Sequence, residues 1–394
     1  MENGCSMRVL FAFLTMLAIL DFPATVRAED SLNALLDPIR TKYQLPAIAA
    51  AVMKDGKLVA DGAVGVRVAG QDIPVTIDDP FHLGSDTKAM TATLAGMMVE
   101  EGKLRWDSTI QEVLGPILPG LRPKFGAITL RELLSHTSGL PADNEEIGRL
   151  YFNPDAADHP LTDWRLRMIS NWGSKHDPTF ANAGKFQYAN LGYIIAGAMI
   201  EKASGKPWER LMFERIFVPL ELKSAGLGAQ ATFGEYDAPV GHRIDDKGKV
   251  TPFPWGESAD LPGSLGPAGL AHMSIKDFAT WAAWNAGEGK RGPALVKPET
   301  LKIIHKPVID MQIKDPKPGT PKTGSYALGW GLSKFDWSDK PLLTHNGSNG
   351  MNFASILLDV DHDLAIVVTT NIAGPHADPA TLDVMKALYA KYAQ

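Results

Sequence analysis

Apolar residues recur at helical spacing over residues 30–43, where Leu32, Leu35, Leu36, Ile39 and Tyr43 fall on one stripe, so the opening segment is expected to be an amphipathic helix. Two apolar runs follow, at 47–53 and 58–68, and Asp55-Gly56 between them is a strong hairpin signal. The pattern then turns helical and loop-rich, with helices expected near 86–101, 129–135, 191–203, 207–216 and 275–287. Short apolar runs return at 326–332, 342–344, 353–358 and 364–370, with a turn over 359–363. Residues 380–392 close the chain as an amphipathic helix carrying Leu382, Met385, Leu388 and Tyr392. Strands at both ends around a helical middle predict an α/β fold, with one sheet built from both termini and a helical lobe inserted. Neither repeats nor a linker divide the chain.

The start of the chain follows another pattern. Arg8 precedes an apolar run from Val9 to Leu20, and Val26-Arg27-Ala28 fits a small-residue cleavage site ahead of Glu29-Asp30. That is the pattern of a secretory signal peptide over residues 1–28, which predicts a periplasmic or secreted protein. An uncleaved anchor is the alternative, but the run is short for a bilayer span and no later segment qualifies. Cys5, the single cysteine, lies before the apolar run, and a start at Met7 would remove it altogether. Cleavage leaves a mature chain without cysteine, so the core must hold the fold without disulfides. Cysteine nucleophiles and thiolate metal sites are excluded with it.

Charge narrows the partners. The net charge is −6, with no block of like charges, so no basic stripe is available to neutralise the phosphates of a nucleic acid. A chain of 394 residues is long enough for one catalytic domain of two lobes.

Candidate chemistry begins at Ser85, the only serine with a lysine three residues on. A helix beginning there would put Ser85 and Lys88 on one face. The free N–H groups and dipole of its first turn would favour developing negative charge. A serine hydroxyl is a weak nucleophile until a neighbour takes its proton. Alone, the pair reads better as an ordinary helix cap with a lysine in the next turn. A second element is Tyr188-Ala189-Asn190, where an extended loop would present Tyr188 and Asn190 to one side. A tyrosine base needs a nearby cation such as Lys88 to lower its pKa. Another Tyr-x-Asn, Tyr151-Phe152-Asn153, shows how readily that pattern arises. The third element is Thr344-His345-Asn346-Gly347-Ser348-Asn349-Gly350, on or just after a strand, where glycines let a substrate approach and backbone N–H groups can meet an oxyanion. The bland counterpart is a glycine-rich turn with a surface histidine.

In this order, the three elements resemble the serine β-lactamase and penicillin-binding superfamily, most closely its class C β-lactamase-like branch of D-alanyl-D-alanine peptidases, D-aminopeptidases and esterases. Leu133-Leu134-Ser135-His136-Thr137-Ser138-Gly139-Leu140, Pro219-Leu220, Pro267-Ala268-Gly269-Leu270 and Tyr326-Ala327-Leu328-Gly329-Trp330 match as well. The resemblance runs through residues 29–394 and implies an α/β lobe of about 29–84 and 272–394 with a helical lobe of about 85–271. It implies Ser85 as nucleophile, Lys88 and Tyr188 as its proton-handling partners, and Asn190, His345, Gly347 and Ser348 as substrate-binding residues. The amides of Ser85 and Ser348 would form the oxyanion hole, and no metal or cofactor is required. Lys322-Thr323-Gly324 spells the lactamase motif literally but precedes the Tyr326–Trp330 segment, so the motif is assigned to His345-Asn346-Gly347. His82-Leu83-Gly84 has the same form but precedes the nucleophile.

Dedicated class C β-lactamases carry lysine where this chain has His345, which ranks D-amino-acid peptides or carboxylic esters above β-lactams as substrates. A class C-like β-lactamase and a non-catalytic penicillin- or peptidoglycan-binding protein are the alternatives. The expected partner is a small-molecule or peptide substrate, with no nucleic acid and no membrane span after cleavage.

Overall fold

The computed structural model describes residues 1–2, 30–179, 185–256, 259–312, 320–321 and 323–393. Nearly all of the expected signal peptide and Lys322 lie outside the described residues. Among the described residues no helix is long and apolar enough to cross a membrane.

A nine-stranded sheet joins the two ends of the chain. Strand Ala47–Lys54 pairs antiparallel with Lys57–Gly65 on one side and with Leu364–Thr370 on the other. Phe353–Asp359, Leu342–Ser348, Gly331–Ser333, Thr323–Tyr326 and Ile309–Gln312 continue it, all antiparallel. A two-residue strand, Asp30–Ser31, adds a parallel edge. The turn between the first long strands is tight because Asp55 and Gly56 both take positive φ, 52° and 72°.

The central strands are apolar without a break because both faces of the sheet are covered. Ala47, Ala49 and Ala51 enter one core, while Ile48, Ala50 and Val52 enter another beneath helices Asn33–Lys42 and Ala377–Tyr392. Helix Ile275–Ala286 covers the first face, and the remaining helices stack beyond it as the inserted lobe. The run expected as one strand at 326–332 divides into Thr323–Tyr326 and Gly331–Ser333. Gly329, at φ 79°, turns the chain there, and a Cβ on it would lie 2.9 Å from the backbone of Lys88 and Ala89. That glycine lets the turn press on the start of the nucleophile helix, Thr87–Glu100.

Arg165 ties the helical lobe together. It is fully buried in helix Leu161–Gly173, donates to Glu201 of helix Asn190–Ser204 at 2.5 Å and pairs with Glu209 of helix Trp208–Met212. Glu201 also accepts from the Trp208 N–H at 2.9 Å. Removing one partner strands buried charge, so Arg165→Met is expected to destabilise by about 3–5 kcal/mol. Urea unfolding checks this, and a midpoint equal to that of the unaltered protein would contradict it.

Candidate active site

The segment bearing Ser85 arrives on a small second sheet. Strand Pro80–His82 pairs with Ala271–Ser274, which also pairs with Gly226–Leu227. The chain then passes through a 3-10 turn, Gly84–Asp86, into helix Thr87–Glu100. Thr87 fastens this corner: its hydroxyl donates to the Gly84 carbonyl at 2.7 Å and accepts the Ala271 N–H at 3.0 Å. The helix is buried along almost its whole length, as its all-round apolar character requires.

Lys88 is fully buried, and its amine has three partners. Nζ donates to Ser85 Oγ at 2.9 Å, to Asn190 Oδ1 at 2.7 Å and to the Ala268 carbonyl at 2.6 Å. Burial pulls its pKa down to about 7, against the opposing charges of Asp143 and Asp86. Tyr188 lies beside Ser85, and its ring centroid is 4.9 Å from Lys88 Nζ. Its phenol is displaced upward by burial, with the Ser85 hydrogen bond opposing, so the expectation that Lys88 would lower it is reversed. The groups poised to take the Ser85 proton are therefore a neutral Lys88 amine and, as a hydroxyl relay, Tyr188.

His136 sets Tyr188 in place. The ring centroids are 4.1 Å apart, the Ala189 N–H donates to His136 Nδ1 at 3.1 Å, and the Gln187 N–H donates to the His136 carbonyl at 2.8 Å. These bonds hold residues 187–189 extended up to Asn190, which opens the next helix. Asn190 Nδ2 donates to Asp143 at 2.6 Å, and the Tyr151 hydroxyl donates to the other oxygen of that carboxylate at 3.0 Å. The second Tyr-x-Asn thus stands at the rim, and Tyr188 is the tyrosine beside Ser85.

The third motif lies on strand Leu342–Ser348, beside Ser85. A Cβ on Gly347 would lie 2.7 Å from the Ser85 nitrogen and 2.8 Å from that of Asp86, and one on Gly84 would collide with the Ser348 amide. His345, expected to face the substrate, is instead 7% exposed with both ring nitrogens committed. Nδ1 lies 3.2 Å from Asp86 and Nε2 lies 2.9 Å from the Tyr326 hydroxyl. Burial and the Lys88 charge lower its pKa to about 3, so the imidazole is neutral. Tyr193 gives its proton to the Leu134 carbonyl at 2.6 Å and lies within hydrogen-bonding reach of Tyr326. All these polar contacts carry a proton only if Tyr326 donates to Tyr193, His345 Nε2–H donates to Tyr326, and a protonated Asp86 donates to Nδ1. Desolvation agrees, raising the Asp86 carboxyl well above its usual range.

A second hydrogen-bonded strut connects the two sides of the Ser85 corner. The Gly84 N–H donates to His82 Nδ1 at 3.0 Å, so the ring proton is on Nε2, 3.0 and 3.1 Å from the oxygens of Asp260. Asp260 accepts from Asn349 at 2.9 Å, and Asn349 receives the N–H groups of Met351 and Asn352 at 3.1 and 2.9 Å. One path therefore joins Gly84, before Ser85, to the loop after Ser348. Sequence reasoning set His82 aside and missed Asp86, Asp143, Asp260, Tyr326 and Asn349. Asp86, Asn349 and Tyr326 lie inside recognised motifs that assign them no role, and Asp143 and Asp260 carry no signal at all. Among the described residues no group of three or more metal-ligating side chains forms.

A serine and a buried lysine at the head of a helix, between a two-termini sheet and a helical lobe, define a protein of the serine β-lactamase and penicillin-binding superfamily. The chain belongs to the β-lactamase family, whose sequence profile matches residues 32–391. Members of that family are generally serine hydrolases. The chain is 27% identical to penicillin-binding protein 4 of Amycolatopsis lactamdurans over 340 residues, 85% of this chain and 83% of that protein. Its fold is similar to the octameric penicillin-binding protein homologue from Pyrococcus abyssi, with a TM-score of 0.72, 23% identity and coverage of 92% and 77% of the two chains. A D-stereospecific amidohydrolase from Streptomyces sp. aligns with a TM-score of 0.65 and 21% identity, over 88% of this chain and 94% of that one.

We predict that His82→Leu, which keeps an apolar filling but breaks the strut, slows acylation of Ser85 by about 10- to 100-fold, less than the loss of a whole oxyanion donor. KM should change little, because the defect falls on transition-state geometry. Stopped-flow acylation with an activated ester measures this, alongside thermal melting. An unchanged rate would show that the strut is only structural.

Proposed function

We propose that this protein is an exported serine hydrolase that cleaves amide or ester bonds through a Ser85 acyl-enzyme, acting on D-amino-acid peptides or carboxylic esters. The observation that carries the reading is the buried Lys88 amine 2.9 Å from Ser85 Oγ, with a pKa near 7. A buried amine that is neutral at working pH can accept a proton, whereas one with the ordinary lysine pKa cannot.

In this reading Ser85 Oγ attacks the carbonyl carbon while its proton passes to Lys88, directly or through the Tyr188 hydroxyl. The negative oxygen of the tetrahedral intermediate lies between the amides of Ser85 and Ser348. Collapse breaks the C–N or C–O bond, and the leaving amine or alcohol takes the proton back. Water then attacks the ester carbonyl, gives a proton to the same pair and releases the acid, restoring Ser85. The neutral, committed His345 offers no cation to a substrate carboxylate, which supports ranking β-lactam hydrolysis below peptide or ester hydrolysis. β-Lactams should still acylate Ser85, a reading favoured by the likeness to a penicillin-binding protein. Export rests on the leader pattern of residues 1–28.

Ser85→Ala is expected to abolish turnover and covalent labelling while leaving the fold intact. Intact-mass spectrometry after exposure to a fluorescent penicillin or an activated ester is the check, and an adduct persisting in the variant would overturn the assignment. The depressed Lys88 pKa gives a second expectation. The base form predominates above pH 7, so kcat/KM for a neutral ester should rise about tenfold per pH unit below 7 and level off above it. A profile flat from pH 5 to 9 would remove Lys88 from the role of base.

A further inference from the structure

One carboxylate at the mouth of the site has no counter-ion. Asp143 is exposed, in the turn before helix Glu145–Tyr151, and both of its hydrogen bonds come from neutral donors, Asn190 and Tyr151. Among the described residues it forms no ion pair. Asn190 links it directly to the reacting centre, since the same amide accepts from Lys88. The other titratable groups around Lys88 are Asp86, His136, His345, Tyr188 and Tyr193, and the hydrogen-bond pattern and burial keep them neutral. When Lys88 gives up its proton, Asp143 is the exposed carboxylate left beside it, since Asp260 is largely buried against His82 and Asn349.

We infer that Asp143 is a specificity residue that binds a cationic amine on the acyl side of the scissile bond. The preferred substrates are then amides or esters of amino acids with a free α-amino group, and acyl groups carrying a carboxylate are rejected.

Reach is consistent with this. An α-nitrogen lies about 2.5 Å from its own carbonyl carbon. That carbon must come within about 3–3.5 Å of Ser85 Oγ to react. Asp143 stands two hydrogen bonds from the Lys88 amine, on the side opened by Tyr151. Tyr151, which bonds to Asp143, also walls a cavity of ≈ 370 Å³ with Phe152, Asn153, Pro154, Asp260 and Leu261, a mixed polar and apolar space for the rest of an amino-acid substrate. Charge also supplies selectivity: an ammonium adds a charge-assisted hydrogen bond to Asp143, whereas a carboxylate meets like charge.

The proposal rests on the Ser85 acyl-enzyme reading, and its test separates the two. Three p-nitroanilides are compared in the protein and in Asp143→Asn: D-alanine, N-acetyl-D-alanine and N-succinyl-D-alanine. A p-nitrophenyl acetate burst counts the active Ser85. The expected order of kcat/KM is free amine, then acetyl, then succinyl. Asp143→Asn should reduce the free-amine to acetyl ratio by about 10- to 100-fold, the range of a hydrogen bond to a charged group. Asp143→Ser, a smaller replacement, should reduce it similarly if the asparagine variant folds poorly. The pH profile adds a readout that a structural role would not move. The free-amine substrate should lose rate above about pH 8, where its ammonium deprotonates, while the acetyl substrate should not. An unchanged ratio with all rates lowered together would overturn the proposal and leave Asp143 as a support for Asn190. A succinyl preference in the unaltered protein would overturn it too. Absence of the ester burst would instead overturn the acyl-enzyme reading beneath it.

Discussion

The site depends on burying the amine of Lys88 without an ion pair. An ammonium removed from water is costly unless it is paired, and in practice such a group lowers its pKa and becomes neutral. Here the amine is met by a hydroxyl, an amide oxygen and a backbone carbonyl. Asn190 and Ala268 take the two N–H groups of the neutral amine, which leaves its lone pair to accept from the Ser85 hydroxyl. Each partner comes from a different part of the chain: Ser85 from the 3-10 turn that leads into the Lys88 helix, Asn190 from the start of another helix, Ala268 from the turn Gly266–Gly269. The helical lobe is thereby organised around one nitrogen, and Arg165 fixes the helix that begins at Asn190.

Close backbone approach is the second constraint, and glycine supplies it. Gly84 and Gly347 allow the nucleophile turn to lie against strand Leu342–Ser348, while Gly329 lets the Tyr326 turn press on the backbone of Lys88. Contacts this close bring the backbone of Ser85 and that of Ser348 next to each other. The His82–Asp260–Asn349 strut then resists separation of the two segments, because breaking it would strand a buried carboxylate.

Local pattern made much of this legible. The central strands, the helices at 86–101 and 191–203 and the hairpin at Asp55-Gly56 lie within a few residues of the expected positions, because their periodicity and turn chemistry are local. The pairing of Ser85 with Lys88 is local too, being one helical turn. Asn190 beside Lys88 required the order of motifs, since nothing local connects residues that far apart. The strand at 326–332 was misread because its hydrophobicity continues through a turn that depends on a left-handed glycine. Asp143 and Asp260 carried no signal, and the motif around Asp86 gave it no role. An acidic side chain in a sequence looks solvated, and burial or an unpaired position in a cleft arises only when distant segments meet.

His345 shows how a motif can keep its place and change its work. A cation at that position would face a substrate carboxylate, but a neutral imidazole between Asp86 and Tyr326 completes a buried hydrogen-bond chain that ends at the Leu134 carbonyl. Such a chain is stable in a low dielectric only when every member is satisfied and no net charge is left behind. A protonated Asp86 meets both conditions, and its unpartnered Oδ2 is then a neutral carbonyl oxygen and not half of a bare carboxylate. The reacting centre is thus lined by groups that are neutral when Lys88 is neutral. The field at its mouth falls to Asp143, the one carboxylate that reaches both the solvent and Asn190. With Asp260 held inside by His82 and Asn349, the charge that an entering substrate meets first is the exposed carboxylate of Asp143.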